Sequence, residues 1–413
     1  MKNKYLQLAI LSLVVTTFMF LQGCIKDTIN RTHTYTLYRP VYKTMEEVVS
    51  NIKSNTPKQV QRPGKIFIKG QYIFLNEIDK GVHIIDNSNP AQPRNVAFID
   101  IPGNVDIAVK GNTLYADFYT DLVTLDISNP LQTKVTKIIQ NVFSHRYYTS
   151  YFKVDTTKVI VGWITKDTTI AKTNPANFRA DFVLDGFSKT ASSAPIGIGG
   201  SMARFTIVNE RLYTVGNQEL KVFNITDIPH PSYVSDKYIG IGIETIYPFK
   251  DRLFIGSTTG MFIYDINNPD QPSQLGRFSH VRSCDPVIAD DTHAYVTLRS
   301  GTACNGFTNQ LEVLDITNLS QPDLVKTYSL TNPHGLSKDG NLLFICDGKD
   351  GLKLYDASTP NNLQLLRTIG NMETYDVIAF NGVAIVVAKD GLYQFDYTDR
   401  SNIKSLSKIA IAL

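Results

Sequence analysis

The sequence predicts an all-β protein built from a repeated unit, and three observations support this fold class. A short apolar strand that ends in Asp or Asn and a turn recurs along the chain, as in the run LVTLDISNP that ends at Pro130. After Pro63, no segment has a convincing helical period over about a dozen residues. The 21 Tyr and 21 Phe, together with abundant Val, Ile and Thr, favour strands.

The start of the chain has the pattern of a bacterial lipoprotein signal peptide. Lys2 and Lys4 precede an almost entirely apolar stretch from Leu6 to Leu21, which is shorter than the roughly 20 residues needed to span a bilayer. The stretch leads into the letters LQGC, which resemble a lipobox with Cys24 as the acylated residue. We predict a signal peptide over residues 1–23 and lipidation of Cys24; an uncleaved anchor and a plain secretory signal are the alternatives.

The residues after Cys24 indicate the destination of the protein. Ile25 stands where the inner-membrane retention signal has Asp, so the outer membrane is the expected location, with the acyl chains as the membrane anchor. Lys26 and Asp27 are a fragment of the acidic export signal of Bacteroidota surface lipoproteins. The periplasmic face and the cell surface therefore both stay open.

Residues 24–62 are polar and carry no repeat, which predicts an acylated N-terminal tether. Thr44 and Glu47 form a capping-box pattern that opens a short helix to about Lys53. This helix has few apolar positions, so it needs to dock on the body of the protein to be stable. The segment Tyr35–Tyr42 has the composition of a strand.

The repeat fills residues 63–413 and predicts a β-propeller. Its key polar residue occurs eight times, at spacings of 39 to 59 residues. Those residues are Asp86, Asp126, Asp185, Asn224, Asp265, Asp315, Asp356 and Asp396. A polar turn between two apolar strands precedes each copy, so a unit reads as four short strands, which is typical of a propeller blade. We therefore predict eight blades; seven is the alternative, because an insertion near Thr165–Arg179 and the Asn at position 224 blur the third and fourth units.

The key Asp has a structural explanation. Its side chain can accept a hydrogen bond from the backbone two residues further on, which starts an Asx-turn after the third strand. The run LVTLDISNP and its copies resemble the LVIVD repeat of bacterial β-propellers. The larger block that begins IPGNVDIAV at Ile101 is similar to the Bacteroidota lipoprotein branch of that family. The resemblance implies the fold and implies no established activity.

Propellers bind ligands at the channel mouth, on the face where the innermost strands begin. Alignment of the eight units places one residue from each blade there: Lys65, Asp106, Ser150, Arg204, Glu244, Asp285, His334 and Asp376. This ring of mixed charge is a candidate site for a polar ligand, a peptide or a cation. The alternative is an ordinary solvated rim.

The leading functional hypothesis is a non-enzymatic binding or protein-interaction module at the outer membrane. The sequence lacks a GxSxG elbow, an HExxH motif and a Walker A loop. Its seven histidines show no metal-ligand spacing, and Trp163 is the single tryptophan, so no cofactor is predicted. The rival hypothesis is a hydrolase or lyase that uses Asp106, Asp285, His334 and Asp376 in the channel mouth.

Charge and cysteine usage limit the partners. Without Lys2 and Lys4, the chain has 39 basic and 38 acidic residues, which gives no electrostatic footprint for nucleic acid. We expect a monomer whose partners are the membrane and an envelope protein, peptide or glycan. Cys284 and Cys304 fall on one face of the sixth predicted blade, which favours a disulfide in an oxidising compartment. Cys346 lies in an apolar strand and is expected to be a buried thiol.

Overall fold

The computed structural model describes residues 32–143, 158–171, 201–280, 283, 286–301 and 307–411. The chain divides into two compact units, residues 1–39 with 163–184 and residues 40–162 with 185–413. The described chain begins with strand β1 (Thr32–Thr44), which contains the predicted Tyr35–Tyr42 strand, then helix α1 (Met45–Asn51) and strand β2 (Ser54–Asn55).

The described residues form seven antiparallel sheets that have the strand order of a propeller blade. Blade 1 contains β3 (Pro63–Lys69), β4 (Tyr72–Glu77), β5 (Gly81–Asp86) and β6 (Arg94–Asp100), and blade 2 contains β7 (Ile107–Lys110), β8 (Thr113–Phe118), β9 (Asp121–Asp126) and β10 (Lys134–Ile139). Strand β11 (Lys158–Ala171) follows and pairs with β1 in a two-stranded sheet.

The later blades repeat the same order, from an inner strand to an outer strand. Blade 3 contains β12 (Phe205–Val208), β13 (Arg211–Val215), β14 (Glu219–Asn224) and β15 (Ser232–Tyr238), and blade 4 contains β16 (Ile243–Phe249), β17 (Arg252–Ser257), β18 (Gly260–Asp265) and β19 (Ser273–Ser279). Blade 5 contains β20 (Val287–Ala289), β21 (His293–Leu298), β22 (Gln310–Asp315) and β23 (Asp323–Ser329).

The last two blades complete the series. Blade 6 contains β24 (Leu336–Asp339), β25 (Leu342–Cys346), β26 (Leu352–Asp356) and β27 (Gln364–Ile369), with a 3₁₀ turn at Pro360–Asn362 before its outer strand. Blade 7 contains β28 (Thr374–Phe380), β29 (Val383–Ala388), β30 (Gly391–Asp396) and β31 (Lys404–Ala410). The all-β propeller predicted from the sequence is confirmed.

Packing between blades 2 and 3 decides the number of blades among the described residues. Tyr115 and Leu122 of blade 2 share one hydrophobic cluster with Leu212 and Phe223 of blade 3. The Tyr115 hydroxyl also donates to the carbonyl oxygen of Ile228 at 2.7 Å. These two blades are direct neighbours, so the described ring has the seven blades of the alternative prediction rather than eight. The described part of the predicted third unit is β11, whose 14 residues pair with β1 instead of forming a blade.

The ring closes between blades 7 and 1 without exchange of a strand, because each blade is built from four consecutive strands of its own. Ile66 and Ile73 of blade 1 pack in one cluster with Ile378 and Ile385 of blade 7. Polar contacts add to this seam. Asn87 Nδ2 donates to Gln394 Oε1 at 3.0 Å, and Ser407 Oγ donates to the carbonyl oxygen of Pro90 at 2.6 Å.

The key polar residue of the repeat forms the predicted Asx-turn in every described blade. In each case the side-chain oxygen accepts a hydrogen bond of 2.7–3.0 Å from the amide two residues later. The donor and acceptor pairs are Ser88 with Asp86, Ser128 with Asp126, Thr226 with Asn224, Asn267 with Asp265, Thr317 with Asp315, Ser358 with Asp356, and Thr398 with Asp396. Asp185 lies outside the described residues. The residue therefore has a structural role.

Asn224 provides a test of this role, because its amide oxygen makes the same 2.8 Å bond as the Asp of the other blades. We expect Asn224→Asp to change the free energy of unfolding by less than about 0.5 kcal/mol. Asn224→Ala should lower it by about 1 kcal/mol, because the Thr226 amide loses its acceptor. Urea denaturation of both variants checks this, and equal stability of the two would contradict a structural role for the side chain.

Helix α1 is present where the capping box predicts it. Thr44 and Glu47 satisfy each other's backbone amides, and the buried Val48 and Ile52 join the core cluster of blades 1 and 2. Strand β2 pairs with β6 and becomes the fifth strand of the first sheet. The predicted tether segment is therefore fixed to the propeller from α1 onward.

The chain between β2 and β3 is also held by a buried polar group. The Glu77 carboxylate, 3% exposed, accepts hydrogen bonds from the amides of Gln61 and Arg62 at 3.0 and 2.6 Å. The Glu77 carboxylate also lies 3.0 Å from Nε2 of the buried His83. The other ring nitrogen of His83, Nδ1, lies 3.1 Å from Nδ2 of the Asn95 side chain. Among the described residues, no helix is long and apolar enough to cross a membrane.

Candidate functional site at the channel mouth

Strand pairing defines two levels of residues at the start of the inner strands. In every blade, the fourth residue of the second strand pairs with an inner-strand residue, from Ile66 in blade 1 to Val377 in blade 7. The residues just before these partners form the deep level: Lys65, Asp106, Arg204, Thr245, Pro286, Gly335 and Asp376. The described residues one position earlier form the outer level: Gly64, Val105, Ala203, Glu244, His334 and Tyr375.

The ring predicted from the sequence therefore mixes two levels. Lys65, Asp106, Arg204 and Asp376 belong to the deep level, whereas Glu244 and His334 belong to the outer level. The predicted ring is therefore one residue off in blades 4 and 6: Glu244 lies at a register shift between Ile243 and Thr245 in β16, whereas the β24–β25 pairing beside His334 has no shift. A bulge adds one residue and redirects the side chains around it. Ser150 and Asp285 lie outside the described residues.

A buried ion pair occupies one side of the deep level. Lys65 Nζ lies 3.1 Å from Asp106 Oδ2, and both side chains are 2% exposed. Asp106 also accepts hydrogen bonds from the amides of Arg204 and Ile107 at 2.6 and 2.8 Å. Burial lowers the pKa of Lys65 to about 8, and burial also raises the pKa of Asp106 above its ordinary value. The pair therefore depends on its mutual contact for stability.

Asp376 lies at the same level without such a partner. It is fully buried, and no described side chain donates a hydrogen bond to its carboxylate; the Val377 amide and the charge of Lys65 act to stabilise its ionised form. Burial raises the pKa of Asp376 to about 8, so the protonated acid is the favoured form at neutral pH. A Cβ atom on Gly335 would lie 2.0 Å from Asp376 Oδ1, which explains the glycine at that position of blade 6.

The segment Ser201–Ala203 crosses the channel and contacts residues at and next to the deep level. All three residues are 5% exposed or less. Ser201 Oγ accepts from the amide of Leu336 in blade 6 at 2.8 Å, and the Ala203 carbonyl oxygen accepts from the amide of Ile246 in blade 4 at 2.5 Å.

The third contact of this segment reaches blade 1, where the Met202 carbonyl oxygen accepts from Lys65 Nζ at 2.8 Å. Because blades 1, 4 and 6 surround the channel, a segment bonded to all three must pass through it. Lys65, Asp106 and Asp376 were expected at an open mouth. All three are instead buried, and Lys65 is bonded to the crossing segment.

Partly exposed residues of both levels form the part of the mouth that a ligand can reach. This mouth cluster consists of Arg204 from the deep level, Glu244, His334 and Tyr375 from the outer level, and Arg299; all but His334 are partly exposed. Arg204 Nε donates to the Glu244 carbonyl oxygen at 3.3 Å. Burial lowers the pKa of Arg299, while Glu244 and Tyr375 act against that shift. The cluster therefore presents two guanidinium groups, a carboxylate and an aromatic ring.

His334 is held in a neutral form within this cluster. The Nε2 atom of His334 lies 3.2 Å from Nδ2 of the Asn332 side chain. The imidazole ring packs edge to face against the ring of Tyr375, with 5.3 Å between the ring centroids. Burial, and then the positive charge of Arg299, lower the pKa of His334 to about 3. The histidine is therefore a neutral, aromatic part of the mouth.

Sequence reasoning missed Arg299, Tyr375 and the Ser201–Ala203 segment. Tyr375 precedes the predicted Asp376 directly, so it belongs to the outer level, which the sequence alignment did not select in blade 7. Arg299 follows β21 directly, at the edge of the insertion in blade 5. Ser201 meets Leu336 across 135 residues of sequence, and no local pattern signals that contact.

The remaining predicted sites have separate outcomes. Cys346 is a buried free thiol, as expected. Cys24, Cys284 and Cys304 lie outside the described residues, so lipidation and the disulfide stay predictions. Within the described ranges, no group of three or more His, Cys, Asp or Glu side chains could hold a metal ion.

Comparison with known proteins agrees with this architecture. The family model described as LVIVD repeat matches residues 64–98, 103–134 and 303–329. The periplasmic gluconolactonase PpgL of Pseudomonas aeruginosa is similar in structure, with a TM-score of 0.54, 11% identity, and coverage of 85% of this chain and 96% of that one. A protein from Lactobacillus plantarum has a TM-score of 0.52 at 14% identity, covering 82% of this chain and 96% of its own.

A computationally designed protein, Ika8, also matches with a TM-score of 0.52 at 9% identity, and the match covers 87% of this chain and 91% of that one. No curated protein matches the sequence. At these identities the structural similarities establish the fold alone. The family-model match, the seven described blades and the repeated Asx-turns identify the chain as a β-propeller that contains LVIVD repeats.

Proposed function

We propose that the protein is an outer-membrane lipoprotein of the Bacteroidota type, anchored through Cys24, whose propeller binds a partner at the mouth cluster without catalysing a reaction. The mature protein would be a monomer, and its partner would be an envelope protein, a peptide or a glycan. The LQGC motif and the absence of Asp after Cys24 support the anchor and its location. The fold and its repeats are compatible with a binding module.

The observation that best supports binding is the division of the channel into two levels. Arg204, Glu244 and Arg299 are partly exposed at the mouth, where they can form charged contacts with a polar partner. The Ser201–Ala203 segment crosses the channel next to them. A partner would therefore be recognised at the surface of the ring rather than passed through it.

The alternative function is a hydrolase or lyase that uses Asp106, Asp285, His334 and Asp376. Two features of the described residues disfavour it. Asp106 is committed to Lys65 and to two backbone amides, and both it and Asp376 are covered by the chain. A histidine with a pKa of about 3 is also a weak general base at neutral pH.

The anchor is tested by labelling cells with an alkyne analogue of palmitate and separating their membranes. We expect the label on the wild-type protein, in the outer-membrane fraction, and its loss in Cys24→Ser. Cys346→Ser is the matched control, because that thiol is buried in a strand of blade 6 and should not be acylated. Label on Cys24→Ser, or wild-type protein confined to the inner membrane, would contradict the proposed anchoring.

The binding function is tested by capture of crosslinked partners from intact outer membranes. We expect a stoichiometric partner with the wild-type protein and its loss with Arg299→Ala. Arg367→Ala is the control, since Arg367 is an exposed arginine on the outer strand of blade 6 and should leave capture unchanged. Equal capture by both variants would exclude the mouth cluster as the binding site.

A further inference from the structure

The Ser201–Ala203 segment is recognised mainly through its main chain. Lys65 Nζ and the Ile246 amide donate to the carbonyl oxygens of Met202 and Ala203. The next amide, that of Arg204, donates to Asp106 at 2.6 Å. The single side-chain contact in this set is the Ser201 hydroxyl with the Leu336 amide.

The four groups that bond to this segment are of the kinds that bind an extended peptide in a protein. Two are main-chain amides of inner strands, whose edges face the channel, and two are the buried charges of Lys65 and Asp106. Recognition of main-chain carbonyl and amide groups at a strand edge tolerates many peptide sequences. The tight burial of Ser201 and Ala203 favours small side chains in the bound segment.

One polar group in the channel remains unsatisfied by the chain's own segment. Asp376 is fully buried, and no described side chain donates a hydrogen bond to its carboxylate, which has only the Val377 amide and the charge of Lys65 nearby. Its Oδ1 lies against Gly335, the residue next to the Leu336 amide that binds Ser201. Buried acceptors are almost always paired in native proteins. An amide or amine of a bound peptide would supply the missing donor.

We propose that the channel at the level of Lys65 and Asp106 is a peptide-binding site that the protein fills in cis with Ser201–Ala203, and that an extended partner peptide with small side chains at the positions of Ser201 and Ala203 competes for it. This inference rests on the proposed binding function and names its ligand class. Because the segment is part of the same chain, its effective concentration is high and a free peptide must compete with it. The wild-type protein should therefore bind such a peptide weakly.

The test is calorimetric titration of the full-length protein with acetyl-Ser-Met-Ala-Arg-amide. Ser201→Ala removes the acceptor for the Leu336 amide and loosens the segment in cis. We expect the variant to bind the peptide about fivefold more tightly than the wild type, as loss of one hydrogen bond implies. A peptide methylated on the arginine amide nitrogen cannot donate to Asp106 and should bind at least tenfold more weakly.

Matched protein variants locate the site. Lys65→Met should abolish peptide binding, whereas Lys69→Met, at the exposed end of the same strand, should leave it unchanged. Equal binding of the plain and methylated peptides, or no binding to Ser201→Ala at millimolar concentration, would overturn the proposal. Should Ser201→Ala fail to fold, the wild-type protein with the two peptides decides the same question.

The result also separates this proposal from the broader one. If the peptide fails to bind but Arg299-dependent capture of a partner persists, the peptide site is excluded and the binding function stands. If capture fails as well, the binding function is excluded with it.

Discussion

Replacement of Lys65 by methionine is expected to lower the free energy of unfolding by about 3 kcal/mol. The substitution removes the cation that lies 3.1 Å from Asp106, and it leaves a carboxylate that is 2% exposed without its counter-charge. It also removes the donor to the Met202 carbonyl oxygen, so the segment that crosses the channel loses a contact. Urea denaturation followed by circular dichroism at pH 7 measures the effect.

Two companion variants separate the charge from the packing. Lys65→Met/Asp106→Asn has no buried charge at this position and keeps a hydrogen-bond acceptor, so it should recover at least half of the loss. Lys69→Met removes a half-buried lysine of the same strand, whose one hydrogen bond goes to Asn112 at the surface, and should change stability by less than about 1 kcal/mol. A Lys65→Met protein as stable as the wild type would contradict the buried ion pair.

Asp376→Asn is expected to have the opposite effect and to stabilise the protein as pH rises. In the folded protein the pKa of Asp376 is raised to about 8, whereas the same side chain in the unfolded chain has an ordinary pKa of about 3.9. Because the folded pKa is the higher one, this side chain favours the folded state most below about pH 4. That contribution is lost progressively as pH rises towards 8, since the unfolded state then releases its proton first.

The asparagine variant does not titrate, so its advantage over the wild type should grow between pH 4 and pH 8 and then level off. We expect the advantage to reach several kcal/mol at pH 8, because each pKa unit between the folded and unfolded states contributes about 1.4 kcal/mol. Urea unfolding at pH 4, 6 and 8 measures it. Asp323→Asn, an exposed position on β23, is the control and should show no such trend. A pH-independent difference for Asp376→Asn would show that its carboxylate is solvated.

The parts of the fold that could be predicted are those that depend on residues close together in the sequence. Asp126 and Ser128 form their turn within three residues, and an Asp or Asn at the equivalent position forms the same turn in every described blade. Thr44 and Glu47 likewise form the capping box that begins α1. Such elements depend on short-range hydrogen bonds, which a single sequence displays directly.

The number of blades depended on long-range packing that the sequence does not display. The third predicted unit contains a segment with the residue pattern of a blade strand. This segment forms β11, which pairs with β1, more than a hundred residues earlier in the chain. Its blade-like pattern could not reveal that choice of partner. The contact of Tyr115 with Ile228 is a consequence that only the folded ring shows.

The sequence predicted which residues belong to the candidate site, but it did not predict their positions in the channel. Alignment of the repeats found Lys65, Asp106, Arg204 and Asp376, which the structure places at one level. The alignment was one residue off in blades 4 and 6, where it selected Glu244 and His334 of the outer level. Glu244 lies at a bulge in β16, which repeat alignment cannot detect. Burial by Ser201–Ala203 was also beyond sequence reasoning, because it depends on contacts with three distant blades.

Hydrogen exchange at the Leu336 amide tests most directly whether the chain closes its own channel. That amide donates to Ser201 Oγ, which lies on the segment that crosses the ring. We predict slow exchange in the folded wild-type protein, measured by nuclear magnetic resonance, and markedly faster exchange in Ser201→Ala, with the Leu343 amide within blade 6 unchanged. Exchange at Leu336 in the wild type as fast as at an exposed strand edge would show that the channel is open and would contradict the closed channel.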